Sequence, residues 1–119
     1  MQDSCTVSRT VRYLSKRWTL LIILELYKGK GYTRRFSELR DALAGITPKV
    51  LSERLKELEE EEIITRNVDV TAFPVRTAYT LTTSGLEIVD IIRDIKGWAL
   101  KWKIKNIPCG EQDCKVCVL

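Results

Sequence analysis

The stretch from Phe36 to Leu58 constrains this chain most. Phe36, Leu39 and Leu43 recur at helical spacing, Gly45 supplies a turn, and Thr47-Pro48 opens a second helix. A hydroxyl residue at the N-cap followed by proline is a strong start signal. The side-chain oxygen accepts an orphan backbone N–H, and proline lacks the N–H that would be unpaired there anyway. Beyond it Val50, Leu51, Leu55 and Leu58 form an inward stripe, while Lys49, Ser52, Glu53 and Lys56 lie opposite. Ser37 is expected to cap the first helix, over residues 38–43. Two short amphipathic helices joined by a tight turn, the second polar outside, are how a helix-turn-helix presents a helix to the DNA major groove.

The flanking segments fit a small domain around that unit. A helix is expected over residues 7–16, capped by Ser8 or Thr6. The next, over 18–28, carries Leu21, Ile22, Leu24, Leu26 and Tyr27 and is apolar on most sides, which marks the central core helix. Gly29-Lys30-Gly31 ends it, with glycine available for a left-handed C-cap. Residues 63–70 and 77–81 are β-branched and partly alternating, with a tip at 71–76 that Phe73 and Pro74 stiffen. A hairpin directly after a recognition helix is a wing. Thr83-Ser84-Gly85 begins a last helix over about 86–103. Its apolar positions exceed one buried stripe, so it wants a second surface, most simply its symmetry mate. The fold class is therefore mainly α with a small β-hairpin (α+β): a winged helix-turn-helix, homodimeric through its terminal helices. Residues 1–105 form the domain, and 106–119 a short, polar, mobile tail bearing cysteines.

Composition excludes more than it assigns. The 119 residues make one domain, small enough that dimerisation would add useful burial. A net charge of +4 is only mildly basic. Its distribution is more telling: residues 1–35 carry eight Lys/Arg against two Asp/Glu, and residues 36–62 carry four against eight. The basic third is either one wall of a DNA-facing surface or a solvated basic face. Glu59–Glu62 opposes the helix macrodipole and repels phosphate, so that end should point away from DNA. Histidine is absent, which removes His-based triads and most catalytic zinc sites. With no nucleophile, base or phosphate loop converging, an enzyme is not expected. No apolar run is long enough to span a bilayer and no signal-peptide layout opens the chain, so a cytoplasmic protein with no membrane partner is expected.

Site candidates follow from the helix geometry. Thr47, Pro48, Lys49, Ser52 and Lys56 are the base-side candidates on the recognition helix, whose first turn reaches deepest; lysine donates to guanine or phosphate oxygens and serine contacts either. Arg34, Arg35 and Arg40 flank the motif as phosphate contacts, with an acid such as Glu57 the rival partner for Arg40. Arg54 sits laterally and reaches either phosphate or an acidic neighbour. In the wing, Arg76 suits a narrow minor groove and Arg66 is a weaker backbone contact. Trp18, Trp98 and Trp102 read as core and dimer packing. Cys109-x4-Cys114-x2-Cys117 has metal-ligand character, and Cys5 is the possible fourth thiolate. Zinc, a redox or disulfide pair, and no role at all remain open for these four.

Four strings resemble the HxlR-type winged-helix regulators, relatives in architecture of the MarR group: Lys16-Arg17-Trp18-Thr19-Leu20-Leu21-Ile22, Arg35-Phe36-Ser37-Glu38-Leu39, Ile46 through Glu59, and Tyr79-Thr80-Leu81-Thr82-Thr83-Ser84-Gly85. Their order and spacing over residues 5–102 make the resemblance specific. It implies a homodimeric DNA-binding transcriptional regulator whose two recognition helices enter successive major grooves. The family typically carries Cys-Pro near its N-terminus, and some members sense oxidants or electrophiles there; this chain has Cys5-Thr6. It also has Glu62-Ile63 where a glycine usually follows the acidic run, so the turn into the wing should differ slightly. The alternatives are a redox- or metal-responsive regulator using Cys5, Cys109, Cys114 and Cys117, and a winged-helix module that docks protein instead of DNA.

Overall fold

Helix α2 (Thr19–Lys28) is the element on which the others pack, as its all-round apolar character requires. In the computed structural model, which describes residues 4–105, 110–111 and 113–115, Ile22, Ile23 and Leu26 of α2 have no solvent exposure. Around α2 lie α1 (Thr6–Leu14), α3 (Phe36–Ala42), α5 (Thr83–Trp102) and a three-stranded antiparallel sheet. Leu39, Leu51, Leu55, Leu58, Ile63, Ile64, Leu81 and Val89 belong to the same buried core. The inward stripe of α4 (Pro48–Glu60) is thus the expected one, with Val50 only partly buried.

The sheet has the order β1-β3-β2, with β1 at Thr33–Arg35, β2 at Ile64–Asp69 and β3 at Arg76–Leu81. The expected hairpin is β2–β3; β1 was not anticipated. Three residues are too few to show alternation, and β1 exists because β3 offers it an edge, with Thr33 opposite Thr80 and their hydroxyls 2.8 Å apart. In β2 only Ile64 is buried, so the strand leaves the core at once and projects as a wing.

Several helix ends differ from expectation. Cys5, not Ser8 or Thr6, is the N-cap of α1, its Sγ accepting the Ser8 N–H at 3.5 Å, and the helix stops at Leu14. Gly29 is not a left-handed cap: its φ is −69°, and Gly31 takes the left-handed conformation at φ 63°. Glycine is needed at 29 for close approach, because a Cβ there would sit 2.2 Å from the Thr33 carbonyl oxygen. Ser37 lies inside α3, whose start is set by the Glu38 carboxylate accepting the Arg35 N–H at 2.8 Å. Gly45 supplies the turn before α4 with φ 94°. α5 starts at Thr83 because the Thr82 hydroxyl oxygen accepts the Gly85 N–H at 3.2 Å.

The described part of the tail is docked, contrary to the mobile tail expected. Arg93 of α5 pairs with Asp113 at 2.9 Å, and Lys115 donates to the Gly29 carbonyl at 2.7 Å, over the ring of Tyr32. Lys115 thereby meets carbonyls at the C-terminal end of α2, where a cation is favoured.

Candidate nucleic-acid interface

Thr47 does what the Thr47-Pro48 pair promised: its Oγ1 accepts the Val50 N–H at 3.2 Å, and Pro48 is the first helical residue of α4. That leaves Pro48, Lys49, Ser52, Glu53 and Lys56 exposed on the outer face, while Leu51, Leu55 and Leu58 are buried on the inner one. The base-side candidates share one solvent-facing surface, apart from the capping work of Thr47.

The arginines divide. Arg35 and Arg40 are exposed beside the motif, and Arg40 Nε is 3.4 Å from Asp41, not near Glu57. Arg34 turns inward: its Nε donates to the Glu25 carbonyl at 3.2 Å, at the end of α2. Arg54 does the same across the motif, donating to the Arg17 carbonyl at 3.1 Å and pairing with Glu57 at 3.2 Å. Of its two open partners, phosphate and an acidic neighbour, the structure brings the acid. Both inward arginines satisfy backbone carbonyls, a demand that residue type and spacing do not announce.

The wing is ordered at its tip by Asp69, whose carboxylate accepts from the Thr71 hydroxyl at 2.6 Å and the Thr71 N–H at 3.0 Å. Those two bonds, with Arg76 opposite, hold its pKa below the ordinary aspartate value. Arg76 is exposed at the start of β3. Phe73 does not stiffen the tip by packing, because its side chain is fully exposed. Arg66, ranked low from sequence, lines a groove between α4 and the wing with Ser52, Lys56, Glu59 and Tyr79. The signal that finds it is strand register, which needs β2 and β3 to be paired first.

The acidic end of α4 meets the basic N-terminal third. Arg9, Arg12 and Lys16 form one wall of a groove whose other wall is Glu57, Glu60 and Glu61, and Lys16 is ion-paired with Glu57. Arg9, Arg12 and Lys16 are exposed, as a solvated basic face would be, and the acids of α4 lie across the groove from them. Burial works to raise the Glu57 pKa, but Lys16 and then Arg54 outweigh it and hold the carboxyl below its ordinary value. Cys114 is beside α5, its Sγ 4.0 Å from Lys96 Nζ. Cys109 and Cys117 lie outside the described residues, and among the described residues no three His, Cys, Asp or Glu gather as a metal site.

A helix-turn-helix whose second helix turns a polar, lysine-bearing face outward beside a β-wing defines a winged-helix DNA-binding protein. Residues 13–106 match the family described as HxlR-like helix-turn-helix. The chain is 44% identical over 94 residues to the HTH-type transcriptional regulator YvaP of Bacillus subtilis, covering 79% of this chain and 83% of YvaP. The reduced form of the transcriptional regulator YodB from B. subtilis superposes with a TM-score of 0.73 at 34% identity, covering 89% of this chain and 99% of YodB. The redox regulator HypR in its oxidised form gives a TM-score of 0.71 at 27% identity, covering 84% and 99%. This chain belongs to the HxlR-like helix-turn-helix family. It is a DNA-binding transcriptional regulator, and the family is one of regulators, not enzymes. Among the described residues no helix is long and apolar enough to cross a membrane.

Proposed function

We propose that the protein regulates transcription in the cytoplasm as a homodimer, with the N-terminal half of α4 in the major groove and the wing on flanking DNA. The observation that carries this is the face of α4: Pro48, Lys49, Ser52 and Lys56 are all exposed along it, and Pro48 and Lys49 lie at the end whose free N–H groups and positive dipole suit phosphate. Lys49 reaches base edges, Thr47 holds the helix start, Ser52 and Lys56 reach backbone, Arg35 and Arg40 grip phosphates, and Arg76 enters the minor groove. Arg34 and Arg54 serve by fixing the motif to α2 and to the segment before it.

The dimer is supported by α5. Ile91, Ile95, Trp98 and Trp102 recur at coiled-coil spacing and are each at least half exposed. Val7 and Val11 of α1 are also exposed apolar positions. A second copy is the partner that covers such a stripe on both chains at once.

Thiol-based control is the second reading, favoured by one observation: Cys114 is docked against α5, the proposed dimer helix. Oxidation of Cys114, with Cys5, Cys109 or Cys117 as partner, or zinc held by these thiols, would then bear on the dimer. HypR, named a redox regulator, lends this reading support.

The test is a competition gel shift with a duplex selected by the protein from a random-sequence pool. Lys49→Ala lowers specific affinity about tenfold or more, as loss of one good base contact does, with the fold intact. Operator affinity unchanged in that variant removes Lys49 from the base-reading set. Repeating the titration under oxidant decides the thiol reading: it needs a change in affinity that Cys114→Ser abolishes.

A further inference from the structure

We infer that Ser52, Lys56 and Arg66 together form a seat for one DNA backbone phosphodiester, in the groove between α4 and the wing. The inference rests on the DNA-binding reading and adds to it a point where recognition helix and wing grip the same strand.

Strand register places the third member. Tyr79 of β3 is paired with Arg34 of β1 on one side and with Arg66 of β2 on the other. Residues directly opposite in an antiparallel ladder share a face of the sheet, and the buried ring of Tyr79 marks this as the inner face. The row Arg34–Tyr79–Arg66 therefore has a cation at each end. Arg34 is taken up by the Glu25 carbonyl of α2. Arg66 comes instead to the side of α4, where it lines the groove with Ser52 and Lys56, neighbours one helical turn apart, and with Glu59.

One hydroxyl and two cations from two elements thus line one open groove. Among the described residues, neither Lys56 nor Arg66 has an ion pair or a side-chain hydrogen bond. Two unpaired like charges beside one groove favour an anion between them. A guanidinium fork and an ammonium match phosphate oxygens, and a serine hydroxyl adds a donor. The place fits a phosphodiester in particular. A helix in the major groove and a wing in the adjacent minor groove straddle one sugar–phosphate strand, so the space between helix and wing is where that strand passes. Glu59 lines the same groove and opposes the anion, so the two cations and the hydroxyl act against one carboxylate.

The experiment measures dissociation constants over a range of salt for the selected duplex and for a scrambled duplex. Wild type is compared with Arg66→Gln, Lys56→Gln and the double variant. Both side chains are exposed, so thermal midpoints stay in place and a loss of binding reports on the groove. Arg66→Gln is expected to weaken both duplexes by the same factor and to lower the salt slope by about one. Because one phosphate is shared, the double variant should lose less than the product of the two single losses. Unchanged affinity in Arg66→Gln, an altered ratio between the two duplexes, or fully multiplicative losses would each overturn the seat while wild type still binds. Wild type that binds neither duplex overturns the DNA-binding reading and the seat with it.

Discussion

Glu62 sits where the chain leaves α4 and turns into β2, with φ at 60°. A β-carbon in that left-handed region costs about 1–2 kcal/mol, a cost glycine does not carry. The position is held because the Glu62 carbonyl accepts the Thr82 hydroxyl at 2.7 Å, which ties the turn to the start of α5. Glu62→Gly keeps that carbonyl and relieves the strain, at some expense in unfolded-chain entropy. It should therefore stabilise the domain by about 0.5–1 kcal/mol, read as a rise of a few degrees in the thermal midpoint. A fall in the midpoint would show that the glutamate side chain holds the turn. The departure from the family's glycine was visible in sequence; that the backbone at Glu62 is left-handed was not, because φ is set by the tertiary bonds around it. Arg34 and Arg54 teach the same lesson. An arginine beside a helix-turn-helix suits phosphate or a carbonyl equally well, and only the packed carbonyl decides.

At the scale of elements, α4 has two ends with opposite tasks. Its N-terminal half turns Pro48, Lys49 and Ser52 outward, and its C-terminal end faces the basic α1 side, where Glu57 is held by Lys16 and Arg54. The folded-state pKa of Glu57 lies below its ordinary value. The stabilisation from its ionised form is therefore complete above the ordinary glutamate range and is lost as pH falls through the lower, folded-state pKa. Glu57→Gln should be less stable than wild type at neutral pH, and the two should converge in acid. A gap that persists unchanged at low pH would assign the loss to packing. Elements with local signals were legible: the Thr47-Pro48 start, the stripe of α4, the Gly45 turn, the apolar α2, and the β2–β3 hairpin. Elements owed to distant partners were not. β1 needs the edge of β3, Cys5 as N-cap depends on where α1 is made to start, and Gly29 answers to the Thr33 carbonyl.

Over the whole molecule, part of the basic N-terminal third, Arg9, Arg12 and Lys16, faces part of the acidic segment, Glu57, Glu60 and Glu61, across the α1–α4 groove. The field that DNA meets is then the local one of α4, its flanking arginines and the wing. The docked tail was illegible because Asp113 and Lys115 act through Arg93, Tyr27 and the end of α2, all remote in sequence. Ile91, Ile95, Trp98 and Trp102 form an exposed apolar stripe on α5, and the proposed homodimer covers it with a second copy. The most direct measurement is a footprint of guanine N7 reactivity on the selected duplex, since N7 lies in the major groove. Two α4 helices in successive major grooves predict two protected patches, about 10 base pairs apart or a multiple of that, on the same face of the DNA. Unprotected N7 positions under bound protein, or a single isolated patch, would contradict the account.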